Sequence, residues 1–314
     1  MRIFAIFTLK HTLHRLMMKT PLKAVFFALA ISASFTACKT DDSDNQNTID
    51  DEVFDPNSSL NTVFDGKIFS IPSPIQTANF IKDLGLPFDE SLLNDQGNTN
   101  NYVTEYQQAL NLGVYGADLG YSALYEQKGA ALRYLTSVEK LTAKLGLSSA
   151  FDQTFLERFE KNSEIEDSMV VLMSDAFSEA DDFLKKANRK STSALVLTGG
   201  FIETMYFACE LNSQKSSDEM IRRIAEQKDG LESIIGVLTE YNKGGSSDEL
   251  IDQLKSLQMA FDQLDLKYEY EAPDTDKENK VTSISHHMNV EVDPGVIEEI
   301  RTKVKEIRAN IIKG

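Results

Sequence analysis

Apolar residues recur at a helical period through most of the chain after residue 100. One clear stripe, with spacings of three and four, consists of Met169, Leu172, Met173, Ala176 and Phe177. A stripe of this kind is typical of an amphipathic helix with one face in a core. Helix-starting and helix-ending residues divide the region. The pattern therefore predicts helices at 102–112, 115–127, 130–145, 150–162, 165–189, 192–213, 217–242 and 247–267.

The pattern changes on both sides of this helical region. Before it, Ser73 and Pro74 predict the start of a shorter helix that Gly85 ends. After it, apolar and polar residues alternate within 268–292, which predicts a β-hairpin with a charged loop. An apolar stripe within 294–312 predicts a last helix. Because short connections make consecutive helices neighbours, we expect a mostly α fold: an antiparallel helical array or bundle with a C-terminal β-hairpin and a closing helix.

A separate apolar run lies near the N-terminus. Residues 24–35 carry no charge and follow Lys19 and Lys23. The run has the length of a signal-peptide core, whereas a helix that spans a bilayer needs about 20 residues. Small residues then lead to a cysteine, in the sequence Phe35-Thr36-Ala37-Cys38. This ending resembles the lipobox of bacterial lipoproteins.

The lipobox resemblance implies cleavage between Ala37 and Cys38 and attachment of lipid, with acyl chains such as palmitate, to Cys38. Two or more acyl chains hold a protein stably at a membrane. Asp41, Asp42 and Asp44 follow directly, and this stretch is similar to the surface-export signal of Bacteroidota lipoproteins. The resemblance implies an outer-membrane lipoprotein that faces the cell surface. The alternative to the lipobox is an ordinary secretory signal with a chance cysteine. The alternative to the export signal is a solvated linker without that role.

Three parts are expected along the chain. Residues 1–37 form the signal peptide, residues 38–55 form a disordered acidic tether, and residues 56–314 form the helical domain. The tether is acidic and poor in aromatic residues, a composition that buries too little surface to fold. The helical domain is similar in general character to helical lipoproteins of Bacteroidota, and this resemblance implies no particular activity.

Charge and cysteine content narrow the possible partners and compartments. The chain has 49 acidic and 32 basic residues; residues 1–37 hold five of the bases and no acid, so their removal leaves 27 bases and a net charge of −22. Such a surface repels phosphate backbones, which argues against a nucleic-acid partner. The sequence has two cysteines, Cys38, which would carry the lipid, and Cys209, which lies in an apolar stretch. We expect a buried thiol and no intramolecular disulfide.

The stretch 113–121 has the most unusual composition in the helical domain. Its glycines and alanine recur four residues apart, which lets another backbone approach closely. One interpretation is a tight helix crossing whose tyrosine hydroxyls are satisfied by neighbours. The other is a ligand cleft, opposed by the stretch around Gly199 and Gly200. The candidate ligand-binding residues are Tyr115, Asp118, Tyr121, Tyr125 and Glu203.

Glu203 stands among apolar residues, so it is either paired with a base or functional. His286 and His287 are adjacent on a predicted strand and point to opposite faces, and the sequence has no CxxC, HExxH or EF-hand pattern. We therefore predict no metal or cofactor and nominate no catalytic residue.

The function we expect is a membrane-anchored binding or interaction module for an envelope protein or a small ligand. The alternative is a hydrolase-like envelope enzyme with a pocket near Asp118, Tyr121 and Glu203. Whether the protein is an enzyme stays open at this point.

Overall fold

A computed structural model describes residues 60–65, 67–71, 74–148, 153–162, 166–270, 274–276, 281–283, 286–291 and 293–314. The predicted signal peptide, the lipid site at Cys38 and the acidic tether lie outside the described residues. Within these ranges the protein is mostly helical, as predicted. The helices are α1 (Pro74–Asp83), α2 (Glu105–Leu124), α3 (Lys128–Leu145), α4 (Gln153–Asn162), α5 (Glu166–Lys186), α6 (Lys190–Gln214), α7 (Asp218–Ala225), α8 (Gln227–Tyr241), α9 (Asp248–Phe261) and α10 (Pro294–Lys313).

Short strands lie before α1 and between α9 and α10. They are β1 (Leu60–Phe64), β2 (Lys67–Ile71), β3 (Asp265–Tyr270), β4 (Asp274–Asp276), β5 (Val281–Ser283) and β6 (His286–Glu291). Strand β1 pairs with β2, β3 with β6 and β4 with β5, and each pair is antiparallel. In the β3–β6 pair, Asp265 lies opposite Glu291 and Tyr270 lies opposite His286.

Local sequence signals account for several helix ends. Helix α1 begins at Pro74, and Gly85 follows it with φ of +68°. Thr104 caps α2, because its side chain accepts a hydrogen bond from the backbone N–H of Gln107 while the Gln107 side chain accepts one from the backbone N–H of Thr104. This reciprocal capping box satisfies two amides that the first helical turn leaves free.

Helix α2 runs unbroken from residue 105 to residue 124, so the predicted interruption between 112 and 115 is wrong. Glycine costs helix stability, about 1 kcal/mol per residue. Here that cost is offset by close packing against α6. A Cβ atom on Gly113 would lie 2.0 Å from the carbonyl oxygen of Val196, and one on Gly199 would lie 1.9 Å from that of Leu110. No side chain fits at either crossing point.

The α2–α6 pair corrects the expectation of a wholly antiparallel array. Leu110 lies against Gly199 at one end of the contact, and the rings of Tyr121 and Phe207 are 4.9 Å apart further along. Residue numbers rise together on both helices, so α2 and α6 are parallel. The antiparallel rule applies to helices joined by short connections, whereas α3, α4 and α5 intervene here.

Helix α10 packs against both central helices and runs in the opposite direction. Asn111 of α2 donates to the carbonyl oxygen of Ile311 (2.9 Å), and Arg301 of α10 pairs with Glu210 of α6 (2.9 Å). The core lies around these three helices, and the other helices cover it. Cys209 is buried there as a free thiol, as predicted, and burial raises its pKa to about 12.

By length and composition, one helix within the described residues could cross a membrane. This is α6, and 83% of its apolar window is buried inside the protein. Burial of that kind is typical of the core helix of a soluble domain.

Candidate functional site

Residues 86–102, which we call the strap, connect α1 to α2. The strap contains two 3-10 helices, Glu90–Leu92 and Gln96–Asn100. Aspartates cap both: Asp89 accepts a hydrogen bond from the backbone N–H of Ser91 (3.0 Å), and Asp95 accepts one from that of Gly97 (2.7 Å). Such caps satisfy only local amides. The other main-chain groups of the strap need partners elsewhere wherever they are buried.

Two candidate tyrosines, one in α2 and one directly after its last residue, supply such partners. The Tyr115 hydroxyl donates to the carbonyl oxygen of Asp95 (2.7 Å), and the Tyr125 hydroxyl donates to that of Leu86 (2.8 Å). Burial raises the pKa of both tyrosines, so each hydroxyl keeps its proton and can donate it. Their phenol groups therefore hold the strap at two places.

The other two candidate residues of α2 hold the strap as acceptors. The backbone N–H of Asp89 donates to the Tyr121 hydroxyl (3.1 Å), and the backbone N–H of Asn94 donates to Oδ2 of Asp118 (3.3 Å). Tyr121 and Asp118 are both fully buried. Tyr115, Asp118, Tyr121 and Tyr125 therefore all bind main chain of the strap.

Side chains of α3 complete the attachment. The Tyr134 hydroxyl donates to the carbonyl oxygen of Asn94 (3.0 Å), and Nζ of Lys144 donates to that of Thr99 (2.9 Å). Neither residue was singled out from the sequence. Asn94 is thus bound through both its backbone N–H and its carbonyl oxygen.

Glu203 is paired with a base, and the base is Arg308 of α10. Nε and Nη2 of Arg308 donate to the two carboxylate oxygens of Glu203 at 2.7 and 2.6 Å, and Nη2 also donates to the carbonyl oxygen of Leu92 in the strap at 2.8 Å. Burial acts against the charge of Arg308, yet the neighbouring Glu203 carboxylate raises the pKa of the guanidinium. The Arg308 side chain also lies 4.0 Å from the centre of the Tyr206 ring, in a cation–π contact.

Asp118 and Glu203 come together in the core, where both are fully buried. Their carboxyl groups are within hydrogen-bonding reach of each other, and Oδ1 of Asp118 has no donor. Burial, and after it the negative charge of Glu203, raises the pKa of Asp118 well above its ordinary value of 3.8, although Arg308 acts in the opposite direction. A raised carboxyl pKa is common at catalytic sites but also occurs in structural ion pairs.

Three cavities of the described region lie elsewhere. A cleft of about 310 Å³ lies between the start of α2, the start of α9 and the end of α10, and its polar lining includes Tyr106, Gln107, Glu249, Gln253, Asn310 and Lys313. A more apolar cleft of about 140 Å³ is lined by Leu132, Phe159 and Met169. A third, almost filled space lies beside Gly116 and Phe177. None of these three cavities in the described region is lined by any of the five candidate residues.

Arg308 is the central residue that the sequence analysis missed. It lies three and four residues from Ile311 and Val304, so it stands on the apolar stripe of the last helix. A base on an apolar stripe, in a chain that also has an acid in an apolar stretch, is the signal that could have paired Arg308 with Glu203.

Among the described residues, no group of three or more His, Cys, Asp or Glu side chains is arranged to hold a metal ion. No protein family model, no curated protein and no solved structure matches the chain. The site is therefore interpreted from its own geometry.

Proposed function

We propose that this protein is a lipid-anchored envelope lipoprotein whose helical domain is a binding or interaction module. One observation supports the proposal that the helical domain is a binding or interaction module. The polar atoms of Tyr115, Asp118, Tyr121 and Tyr125 hold the strap directly, and Glu203 holds it through Arg308. The buried polar groups thus have a structural task, which leaves the outer surface and its clefts for recognition.

The polar cleft between α2, α9 and α10 is the largest of the three cavities, and we propose it as the place for a small ligand. It offers amide groups from Gln107, Gln253 and Asn310 next to the phenol of Tyr106. Burial, and after it the charge of Glu249, raises the pKa of Tyr106 to about 12, so the phenol stays neutral and can donate a hydrogen bond. Donors and acceptors of this kind suit a polar ligand.

A thermal-shift screen of the purified protein against envelope metabolites tests this proposal. We expect at least one compound to raise the melting temperature, and we expect Gln253→Ala to abolish the shift while Gln263→Ala, a control outside the cleft, keeps it. A ligand whose effect survives Gln253→Ala would remove the cleft from the proposal.

The enzyme alternative rests on the raised pKa of the buried Asp118. It requires the strap to open, because Asp118, Tyr121 and Glu203 are closed to solvent. If a hydrolase substrate were found, Asp118→Asn would abolish turnover, and the interaction proposal would lose its basis. A ligand lost on Gln253→Ala but retained by Asp118→Asn would count against the enzyme.

The anchor is tested separately. We expect the unaltered protein to incorporate labelled fatty acid and to partition into detergent, and we expect Cys38→Ala to do neither. Failure of the unaltered protein to incorporate label would refute lipidation. For surface exposure, external protease should degrade the protein on intact cells, and replacement of Asp41, Asp42 and Asp44 by alanine should protect it.

The finer description of the fold is part of the proposal. We propose that residues 268–292 form a hairpin that closes the helical array together with α10. The antiparallel pairing of β3 with β6 and the position of α10 against α2 and α6 support this arrangement.

A further inference from the structure

The buried cluster of Asp118, Glu203 and Arg308 contains two acids and one base. Glu203 uses both carboxylate oxygens to accept from Arg308, at 2.7 and 2.6 Å. This bidentate geometry is that of an ionised carboxylate with a guanidinium. Asp118 instead has one long contact, 3.3 Å from the backbone N–H of Asn94. The two acids are thus in different environments, and Glu203 is the one that holds the negative charge.

The unpaired oxygen of Asp118 indicates what is missing from this arrangement. Oδ1 of Asp118 is buried without a donor, while the Glu203 carboxyl group lies within hydrogen-bonding reach. Two carboxylates cannot donate to each other, and an unpaired buried charge is unfavourable by several kcal/mol. One proton on Asp118 removes both problems, because Asp118 can then donate to Glu203. The cluster becomes neutral: one carboxylic acid, one carboxylate and one guanidinium.

We propose that Asp118 carries a proton in the folded protein at neutral pH, donates it to Glu203, and so makes attachment of the strap sensitive to pH. Loss of this proton places a second negative charge against Glu203 and in competition with it for Arg308. Arg308 is also the donor to the carbonyl oxygen of Leu92, so this contact to the strap depends on the protonation of Asp118. The contact from the Asn94 amide does not weaken in the same way, because that hydrogen bond favours the ionised carboxylate.

The other described titratable groups that face Asp118 and Glu203 are tyrosines, which do not supply a second cation. Around it are Tyr115 of α2, Tyr134 of α3, Tyr206 of α6 and Tyr102 at the end of the strap, and burial raises the pKa of each. These phenols therefore carry no charge at neutral pH. Of the described groups that face the pair, Arg308 is the cation.

The direction of the pH effect follows from the folded state holding a proton that the unfolded chain releases near the ordinary pKa of 3.8. The stabilisation is complete below that pH and is lost as the pH rises towards the higher pKa of the folded state. The substitution Asp118→Asn would mimic the protonated form, because an amide can donate to Glu203 and accept from Asn94 without ionising. The variant D118N therefore removes the ionisable proton but keeps the hydrogen bonds, so the two effects can be told apart.

Carbon-13 NMR of the full chain labelled at aspartate carboxyl carbons tests the assignment directly. At pH 7 we expect one aspartate signal at the position of a protonated acid, absent from D118N and present in the control Glu210→Gln. If every aspartate carboxyl were ionised at pH 7, the proposal would be overturned. A protonated signal in glutamate-labelled protein instead would overturn the choice of Asp118.

Urea unfolding at pH 5 and pH 8 tests the consequence for stability. We expect the midpoint of the unaltered protein to fall relative to that of D118N as the pH rises. An equal difference at both values would overturn the pH dependence. If D118N does not fold, sequential assignment of the Asp118 carboxyl carbon in the unaltered protein still decides where the proton lies. Hydrogen exchange of the Leu93 amide, which belongs to the same peptide group as the carbonyl oxygen that Arg308 holds, decides the link to the strap. We expect its protection, corrected for intrinsic exchange, to be lower at pH 8 than at pH 6; equal protection would refute that link.

Discussion

Helices α6 and α10 are joined by two ion pairs that lie in different surroundings. In both, one arginine faces two acids. Arg308 faces Glu203 and Asp118 in the core, whereas Arg301 forms an outer cluster with Glu210 (2.9 Å) and Glu298 (2.8 Å). The side chains of Glu203 and Arg308 are 0% and 10% exposed, whereas those of Glu210, Arg301 and Glu298 are 13%, 24% and 60% exposed.

The two clusters differ in their access to water. In the outer cluster, water reaches Glu298 and stabilises the surplus negative charge there, so the pair between Arg301 and Glu298 contributes little. In the core the surplus charge has no such compensation, so the cluster is satisfied only when an acid takes up a proton. One arginine with two acids can therefore form an ordinary partly exposed cluster or a proton-holding site, and burial decides which.

Removal of the buried base should have the largest effect. We expect Arg308→Met to lower the free energy of unfolding by about 3–5 kcal/mol, because Glu203 is then a buried charge without a partner and Leu92 loses its donor. Arg301→Met is the matched control and should lower it by less, about 1–2 kcal/mol, because its partners Glu210 and Glu298 keep access to water. Urea unfolding at pH 7 measures both. Equal losses for the two variants would contradict the contrast between core and surface.

Separation of α2 from α6 should have the next largest effect. Gly113→Ala places a Cβ atom 2.0 Å from the carbonyl oxygen of Val196, so the helices must move apart, and with them Asp118 and Glu203. We expect a loss of about 1–3 kcal/mol in the free energy of unfolding. In Gly129→Ala the nearest atom to the new Cβ is 3.6 Å away, at the end of the Arg133 side chain, and the change should stay within about 1 kcal/mol. A loss as large for Gly129→Ala would show that the close crossing is not the cause.

The strap attachment should respond to the loss of a single hydroxyl. Tyr134→Phe removes the donor to the carbonyl oxygen of Asn94 and should lower the free energy of unfolding by about 1 kcal/mol. Tyr206→Phe keeps the ring that lies over Arg308 and should have a smaller effect. Hydrogen exchange should show faster exchange in the strap for Tyr134→Phe. Unchanged exchange there would mean that the hydroxyl does not hold the strap.

The sequence predicted the helical class and most helices because the apolar stripes extend over several turns. It could not predict that α2 and α6 are parallel, because no local pattern specifies the direction of helices that are distant in the chain. The glycines of 113–120 suggested two outcomes, a close crossing or a break. Packing against Val196 and Gly200, which the sequence does not display, decides for the crossing.

The candidate residues illustrate the same limit. Their burial was inferable from their apolar and small neighbours, and pairing of Glu203 with a base was one of the two interpretations. The partners of the three tyrosines and Asp118 were not inferable, because they are main-chain N–H and C=O groups of residues 86–102, and such groups leave no mark in a sequence. Asp118, Tyr121 and Glu203 therefore gave the same pattern as a ligand site would.

The smallest effect is expected at the surface pair. We expect Glu298→Gln to change the free energy of unfolding by about 0.5 kcal/mol or less, because Arg301 keeps Glu210 as a partner and water reaches the exposed position of Glu298. The loss should shrink further in high salt, which screens exposed charges over roughly 10 Å and less. Glu203→Gln provides the contrast, because salt does not reach the buried cluster and its larger loss should persist. Urea unfolding of both variants at low and high salt measures this difference, and a salt-insensitive loss at Glu298 would place that pair in the same class as the buried one.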